Sequence, residues 1–376
     1  SIVQHLKPEW KTNVESAVDK VLPKVAAAIA ERARLKQIGF SQFQLDASAE
    51  MLLAEFGEGP NKPSQVITAG VGSGKTFAFL IPTLISSYAR LLAGEAGRRT
   101  GLLVYPRTAL SRDQNRVIQR IVEKIGHPML QAHFEHYEFY KSRKLTVKEG
   151  VARTYGEGTT SPCIILTTLE TLRRRLHHPL FLRRVASSLN RVILDEVHLV
   201  EGLSGANIVR LMDRLRALCQ VASPQSEILW TASSATVASP HIHAGTIFGL
   251  PPSKVKVIQQ PEEKMQDVGL IHHVFLRPSG RISNLGAIVN ATSILAHNRR
   301  VDIGSRKKGE NTPKTLGFAD NLDLLGRWNA DLRENERTEE SRDRRHPESR
   351  NREEWRVQER EVPYAIRFRH PLESRI

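Results

Sequence analysis

Residues Thr68–Pro82 read TAGVGSGKTFAFLIP. Three glycines, a lysine and a threonine sit between two apolar runs, SQVITAG before and FAFLIPTLISSYARLLAGEAG after. The first run has the length and composition of a buried strand, and the second reads as a helix closing near Gly94 or Gly97. A glycine loop between a strand and a helix is the setting of a phosphate-binding loop rather than of a plain turn. Gly70, Gly72 and Gly74 leave backbone N–H groups unobstructed and admit positive φ, with Ser73 among them. Those amides and the start of the helix then face an anion. Lys75 is expected to reach the β- and γ-phosphates, and the Thr76 hydroxyl to serve Mg²⁺. The usual pattern begins with a further glycine where Ala69 stands; Gly70 and Gly72 supply the flexibility instead.

Working outward, short apolar strands alternate with helices. TGLLVYP, PCIILTT, RVILDEV and SEILWTASSAT read as further strands, separated by ALSRDQNRVIQRIVEKIG, LETLRRRLHH and GANIVRLMDRLRALC as helices. That alternation predicts a mostly parallel sheet with helices on both faces, and ligands at the carboxyl ends of its strands. Upstream, residues 14–36 have helical periodicity interrupted at Pro23, and FQLDASAEMLLAEF is a second amphipathic helix.

RVILDEVHLV puts Asp195 and Glu196 at the end of an apolar strand. A carboxylate there, facing the glycine loop, suits Mg²⁺ held through water, and its neighbour suits orienting or deprotonating the attacking water. Asp195 takes the first role and Glu196 the second. His198 lies two residues on; alone it is a packed or surface histidine.

The 376 residues suffice for two domains, and a 40% apolar content supports buried cores. Cys163 and Cys219 make no disulfide framework or metal pair, which favours a reducing compartment. The first residues lack an apolar signal core, and no run of apolar residues is long enough to predict a membrane span. The net charge is +15, whereas residues 331–376 hold 12 basic and 12 acidic residues, so the excess lies before them. A basic globular body suits a polyanion, nucleic acid foremost.

AGVGSGKT, DEVH and SAT (Ser234–Thr236), in that order, resemble the first RecA-like domain of superfamily-two helicases of the DEAD/DEAH-like group. YPRTALSRDQ (105–114) and TTLETL (167–172) resemble the family's backbone-contacting motifs, FQLDA (43–47) its glutamine motif, and KTLGFAD (314–320) the first strand of its second RecA-like domain. The resemblance implies a RecA-like doubly wound α/β sheet and ATP, with Gln44 at the adenine. It implies single-stranded nucleic acid on Arg107, Thr108, Thr167 and Thr168. Ser234 and Thr236 would couple hydrolysis to movement, through His198. RRRLHHPLFLRR (173–184) either widens that basic surface or is a solvated helix face.

The expected organisation is a helical extension over 1–38, an ATP-binding RecA-like domain over 39–262, an incomplete second α/β unit over 263–330, and a charged tail or insertion over 331–376. No Gln/His-x-x-Gly-Arg-x-x-Arg segment follows residue 320. The family's arginine finger sits there, so the chain alone is expected to bind ATP and hydrolyse it poorly, with a partner chain as one source of the missing part. A fainter resemblance to helicase-like proteins of bacterial phage-defence islands such as DISARM leans towards DNA and a bacterial cytoplasm. Two other classes compete: a binding module without full catalysis, and a phosphate-loop small-molecule kinase.

Overall fold

The computed structural model describes residues 2–58, 64–70, 72–95, 99–225, 227–235 and 237–260, with Ile288 and Arg327 as single helical positions. Ser1–Gln266 form one compact unit. The second α/β unit, the charged tail, KTLGFAD and Thr236 lie outside the described residues.

In chain order the elements are α1 (Pro8–Ala33), α2 (Gln42–Phe56), β1 (Ser64–Thr68), α3 (Lys75–Leu92), β2 (Thr100–Tyr105), α4 (Thr108–Ile125), β3 (Ala132–Glu135), α5 (Tyr137–Ser142), α6 (Val147–Tyr155), β4 (Ile164–Thr168), α7 (Leu169–Arg175), α8 (Pro179–Phe181), β5 (Leu189–Leu194), α9 (Gly202–Ala222), β6 (Leu229–Ser234), α10 (Pro240–Phe248) and β7 (Val255–Gln259). The seven strands form one sheet in the order β3-β4-β2-β5-β6-β1-β7, and every pairing is parallel. Alternate residues of one strand feed opposite layers, as the period of two requires. Ile67, Leu103 and Ile193 pack with α1–α4, while Val66, Leu102 and Val192 pack with α5–α10. This is the doubly wound α/β architecture expected.

Two strands escape the sequence reading, and both are edges. β7 buries only Val255 and Ile258 and leaves Lys256 and Gln259 exposed, on the outer side of β1. β3 is only Ala-His-Phe-Glu, with two titratable side chains in four residues. Its polarity is tolerated because Glu135 is buried among partners: Arg175 Nε at 2.5 Å, the Tyr140 hydroxyl at 2.5 Å and His133 Nε2 at 3.1 Å. Burial alone would raise the Glu135 pKa, but His133, Arg175 and Tyr140 hold it down at about 2.

α1 also differs from expectation by running through Pro23. Pro23 and Asp19, whose carbonyl loses its donor, are both exposed, so the break in the helix ladder falls on the solvent side. Val14, Ala17, Val21, Val25 and Ala28 bury one stripe in the core shared with α3 and α4, and that stripe holds the helix together.

A second buried carboxylate ties the α1–α3 layer to the sheet. Glu55 of α2 accepts from Arg191 of β5 at 2.7 Å, Arg90 of α3 at 2.8 Å, Ser86 at 2.7 Å and Asn190 at 2.9 Å. The Arg90 guanidinium lies 5.0 Å from the ring centres of both Trp10 and Phe56. Both cysteines are buried, and burial pushes the Cys219 thiol up to about 12.

Candidate active site at the carboxyl ends of β1, β6 and β5

β1 and β5 flank β6, so three loops open side by side. Thr68 is level with Ser234, and Leu194 with Ala232. The glycine loop leaves β1 there. Gly72 and Gly74 have φ of 83° and 80°, the left-handed region that glycine enters without penalty. Gly74 is the N-cap of α3 and offers no side-chain cap, so the Lys75 and Thr76 amides have no acceptor within the helix, while that of Phe77 donates to the Gly74 carbonyl at 3.0 Å. Lys75 and Thr76 are half-buried, and a Cβ added at Gly70 or Gly72 would meet nothing within 4 Å. The Ser73 hydroxyl is buried without a partner.

Gln44 stands against this loop. Its Nε2 donates to the Gly74 carbonyl at 3.1 Å, and its Oε1 accepts the Ser41 amide at 2.9 Å in a capping box that starts α2. One N–H and one lone pair of the amide remain for a ligand.

Asp195 directly follows β5 and is 6% exposed. Its Oδ1 accepts the Glu196 amide at 2.9 Å. Burial raises its pKa to about 6; the nearby Ser233 hydroxyl and the Lys75 ammonium oppose that rise, while Glu196 adds to it. The charge of Lys75 acts on Asp195, so the glycine loop and the acidic turn lie near one another. The Tyr105 hydroxyl is fully buried without a partner, and burial together with Asp195 raises its pKa. Tyr105 opens the motif YPRTALSRDQ, but the sequence reading gives it no role of its own.

Glu196 takes φ 54°, ψ 46°, a left-handed conformation rare for a residue with a side chain. Such strain persists where surroundings over-determine it, often at functional turns. His198 follows in the short 3₁₀ turn Val197–Leu199. Its Nδ1 lies 3.3 Å from Glu196 Oε2 and accepts the Ala235 amide at 3.4 Å. The Ser234 hydroxyl is buried and unpartnered. DEVH and the end of β6 are therefore in direct contact.

The residues expected at nucleic acid divide into two pairs. Arg107 is exposed at the N-cap of α4, and Thr108 is half-buried with its hydroxyl 3.4 Å from His136 Nε2. Thr167 and Thr168 are buried. The Thr167 hydroxyl donates to the Glu135 carbonyl at 3.1 Å, and Thr168 Oγ1 caps α7 by accepting the Thr171 amide at 3.3 Å. Their hydroxyls serve the fold.

The donor set fits a magnesium nucleotide. Uncapped amides, one ammonium and the orphan Ser73 hydroxyl suit phosphate oxygens, while the Thr76 hydroxyl and Asp195 suit a hard cation. Among the described residues no group of three or more His, Cys, Asp or Glu could hold a metal unaided. A cation here would thus rely on phosphate and water for its remaining ligands, as magnesium usually does. No helix among the described residues is long and apolar enough to cross a membrane.

A parallel sheet of this order, with a glycine loop after β1 and an acidic turn after β5, is of the RecA-like doubly wound α/β kind. The family profile of the DEAD/DEAH box helicases matches residues 43–243, and the chain belongs to that family. It is 25% identical over 187 residues to the ATP-dependent helicase HRQ1 of Saccharomyces cerevisiae, covering 49% of this chain and 16% of that protein. It is 24% identical over 227 residues to the uncharacterized ATP-dependent helicase YprA of Bacillus subtilis, covering 57% of this chain and 25% of the other. The chain thus spans a quarter or less of these relatives. The crystal structure of the DUF1998 helicase MrfA is similar in fold, with TM-score 0.59 and 18% identity over 86% of this chain and 42% of that one. So is the DEAD-box helicase Mss116 bound to single-stranded RNA and UDP-BeF, with TM-score 0.53 and 14% identity over 76% and 53%.

Proposed function

We propose that this chain is the ATP-binding part of a helicase or translocase that couples ATP hydrolysis to movement along single-stranded nucleic acid, DNA in preference to RNA. The observation that carries the reading is that Lys75 and Asp195 influence one another through charge, in segments that follow the two strands flanking β6. Gly70, Gly72, Ser73, Gly74 and Lys75 grip the phosphates, and Gln44 meets the base. Thr76 and Asp195 hold Mg²⁺, which when bound neutralises charge on the β- and γ-phosphates. Glu196 orients water and takes up its proton; the hydrogen bond that His198 Nδ1 accepts from the Ala235 amide passes the nucleotide's state to Ser234 and Thr236. Arg107 and Thr108 take phosphates of the strand by their side chains, and the segment at Thr167 and Thr168 by its backbone.

The preference for DNA follows the phage-defence resemblance; the RNA bound by Mss116 makes RNA the competing outcome. Without a Gly-Arg-x-x-Arg segment, turnover by this chain alone is proposed to be slow, with a partner chain as one source of that segment. A fluorescent ATP analogue is expected to bind the parent and not Lys75→Ala, and single-stranded DNA to stimulate hydrolysis more than RNA does. Equal binding by Lys75→Ala would overturn the phosphate-loop assignment. A second reading, a nucleotide-gated nucleic-acid-binding module, would use the same glycine loop. Vigorous DNA-stimulated turnover by the purified chain would reject it.

A further inference from the structure

The turn Glu196–Leu199 has little to hold it from within. It is a single 3₁₀ turn closed by Leu199 N–H to Glu196 O at 3.0 Å and Val200 N–H to Val197 O at 2.9 Å. Isolated turns of this kind are weak, and Glu196 adds a strained left-handed residue. The turn therefore needs fastening from outside. Val197 supplies one anchor by burying its side chain completely. A second comes from α10, in a segment that no motif of the sequence singles out: His243 Nε2 lies 2.8 Å from the Val197 carbonyl. A carbonyl only accepts, so Nε2 carries the proton.

We propose that His243 is a positioning residue that fixes Glu196 and His198 through the hydrogen bond it donates to Val197. The proposal rests on the function assigned above to Glu196. His243 suits the task because α10 is itself rigid: Ala244, Ile247 and Phe248 are buried in the core, and the His243 amide is bonded to Ser239 O at 3.2 Å. α10 also follows the Ser234–Thr236 segment directly. Displacement of that segment would therefore reach Glu196 by two routes. One is Ala235 to His198, at 3.4 Å, and the other is α10 through His243 to Val197, at 2.8 Å. The shorter and better packed route is the one the sequence does not advertise.

The test compares His243→Ala with His243→Gln in the full chain, since a glutamine amide can offer an N–H near the place of Nε2. Two readouts are taken: amide exchange of the peptide spanning 195–200, and single-turnover ATP cleavage alongside ATP-analogue affinity. His243→Ala is expected to speed exchange and to slow cleavage, each by about fivefold to tenfold, the scale of one hydrogen bond. Nucleotide affinity should stay within about twofold, because the bond acts on Glu196 and not on the phosphate loop. His243→Gln should recover most of both losses. Unchanged exchange in His243→Ala, or no recovery in His243→Gln at equal melting temperature, would overturn the proposal. A parent that does not cleave ATP would overturn the proposed function instead, while exchange still reads the tether.

Discussion

The Gln44 side chain donates to the main-chain carbonyl of Gly74 at 3.1 Å, joining the start of α2 to the residue before Lys75. A Cβ at Gly74 would lie 2.3 Å from Gln44 Nε2, on a residue at φ +80°. Gly74→Ala is therefore expected to weaken ATP-analogue binding at least about tenfold, since a left-handed alanine alone costs about 1 kcal/mol. Adding Gln44→Ala should recover the steric part of that loss. Titration of the two single variants and the double variant checks the coupling, and strict additivity would refute it.

Asp195 sits under an electrostatic penalty when no cation is bound. Its folded pKa, about 6, lies above its ordinary 3.8, so between these values the folded chain holds a proton that the unfolded chain has lost. Stability contributed by this group falls as pH rises from about 4 to 6 and is level above that. Asp195→Asn removes the penalty and keeps an acceptor for the Glu196 amide. Its melting point should exceed that of the parent at pH 8, by about 1–3 kcal/mol in free energy, and the gap should shrink towards pH 5. The same variant should cleave no ATP. Thermal melts across that pH range decide the matter.

Glu55 carries the opposite sign. Burial would raise its pKa, but Arg90 and Arg191 hold it at about 2 against an ordinary 4.5. Its contribution is complete above about pH 4.5 and is lost as pH falls towards 2. Glu55→Ala leaves Arg191 buried and uncompensated, which should cost about 3–5 kcal/mol in urea melts at pH 7. A loss below about 1 kcal/mol would show that the network is dispensable.

Arg107 and Thr167 should separate cleanly. Arg107→Ala is expected to weaken oligonucleotide binding and to lower the salt dependence of affinity by about one phosphate contact. Thr167→Val should leave that slope unchanged, because the hydroxyl already donates to the Glu135 carbonyl, and should cost about 1 kcal/mol of stability. Binding isotherms at several salt concentrations measure both.

The central strands and the glycine loop could be read from the sequence because local pattern decides them. Buried parallel strands are continuous apolar runs, and a loop that must adopt positive φ twice in three residues writes glycine twice. What escaped depends on partners distant in sequence. β3 is a strand because Arg175 and Tyr140 neutralise Glu135, and no window around Ala-His-Phe-Glu contains Arg175. Pro23 lies within α1 because the opposite face of the helix is buried. In the candidate site, residue type after an apolar strand is what points to Asp195 and Glu196, and the glycine loop ahead of a helix is what points to Lys75. The hydroxyls of Thr167 and Thr168 turn inward for reasons of tertiary packing, and His243 earns its place only through a carbonyl 46 residues away.

The two thiols offer a practical opening. Cys163 and Cys219 are 4% and 3% exposed, and burial raises the pKa of each. Little thiolate is present near neutrality, so alkylating dyes should pass both by. A cysteine introduced on exposed positions such as Ala217 of α9 or Thr246 of α10 would then be the site that reacts, and a fluorophore there could follow nucleotide-driven motion without first stripping the protein of its native sulfur.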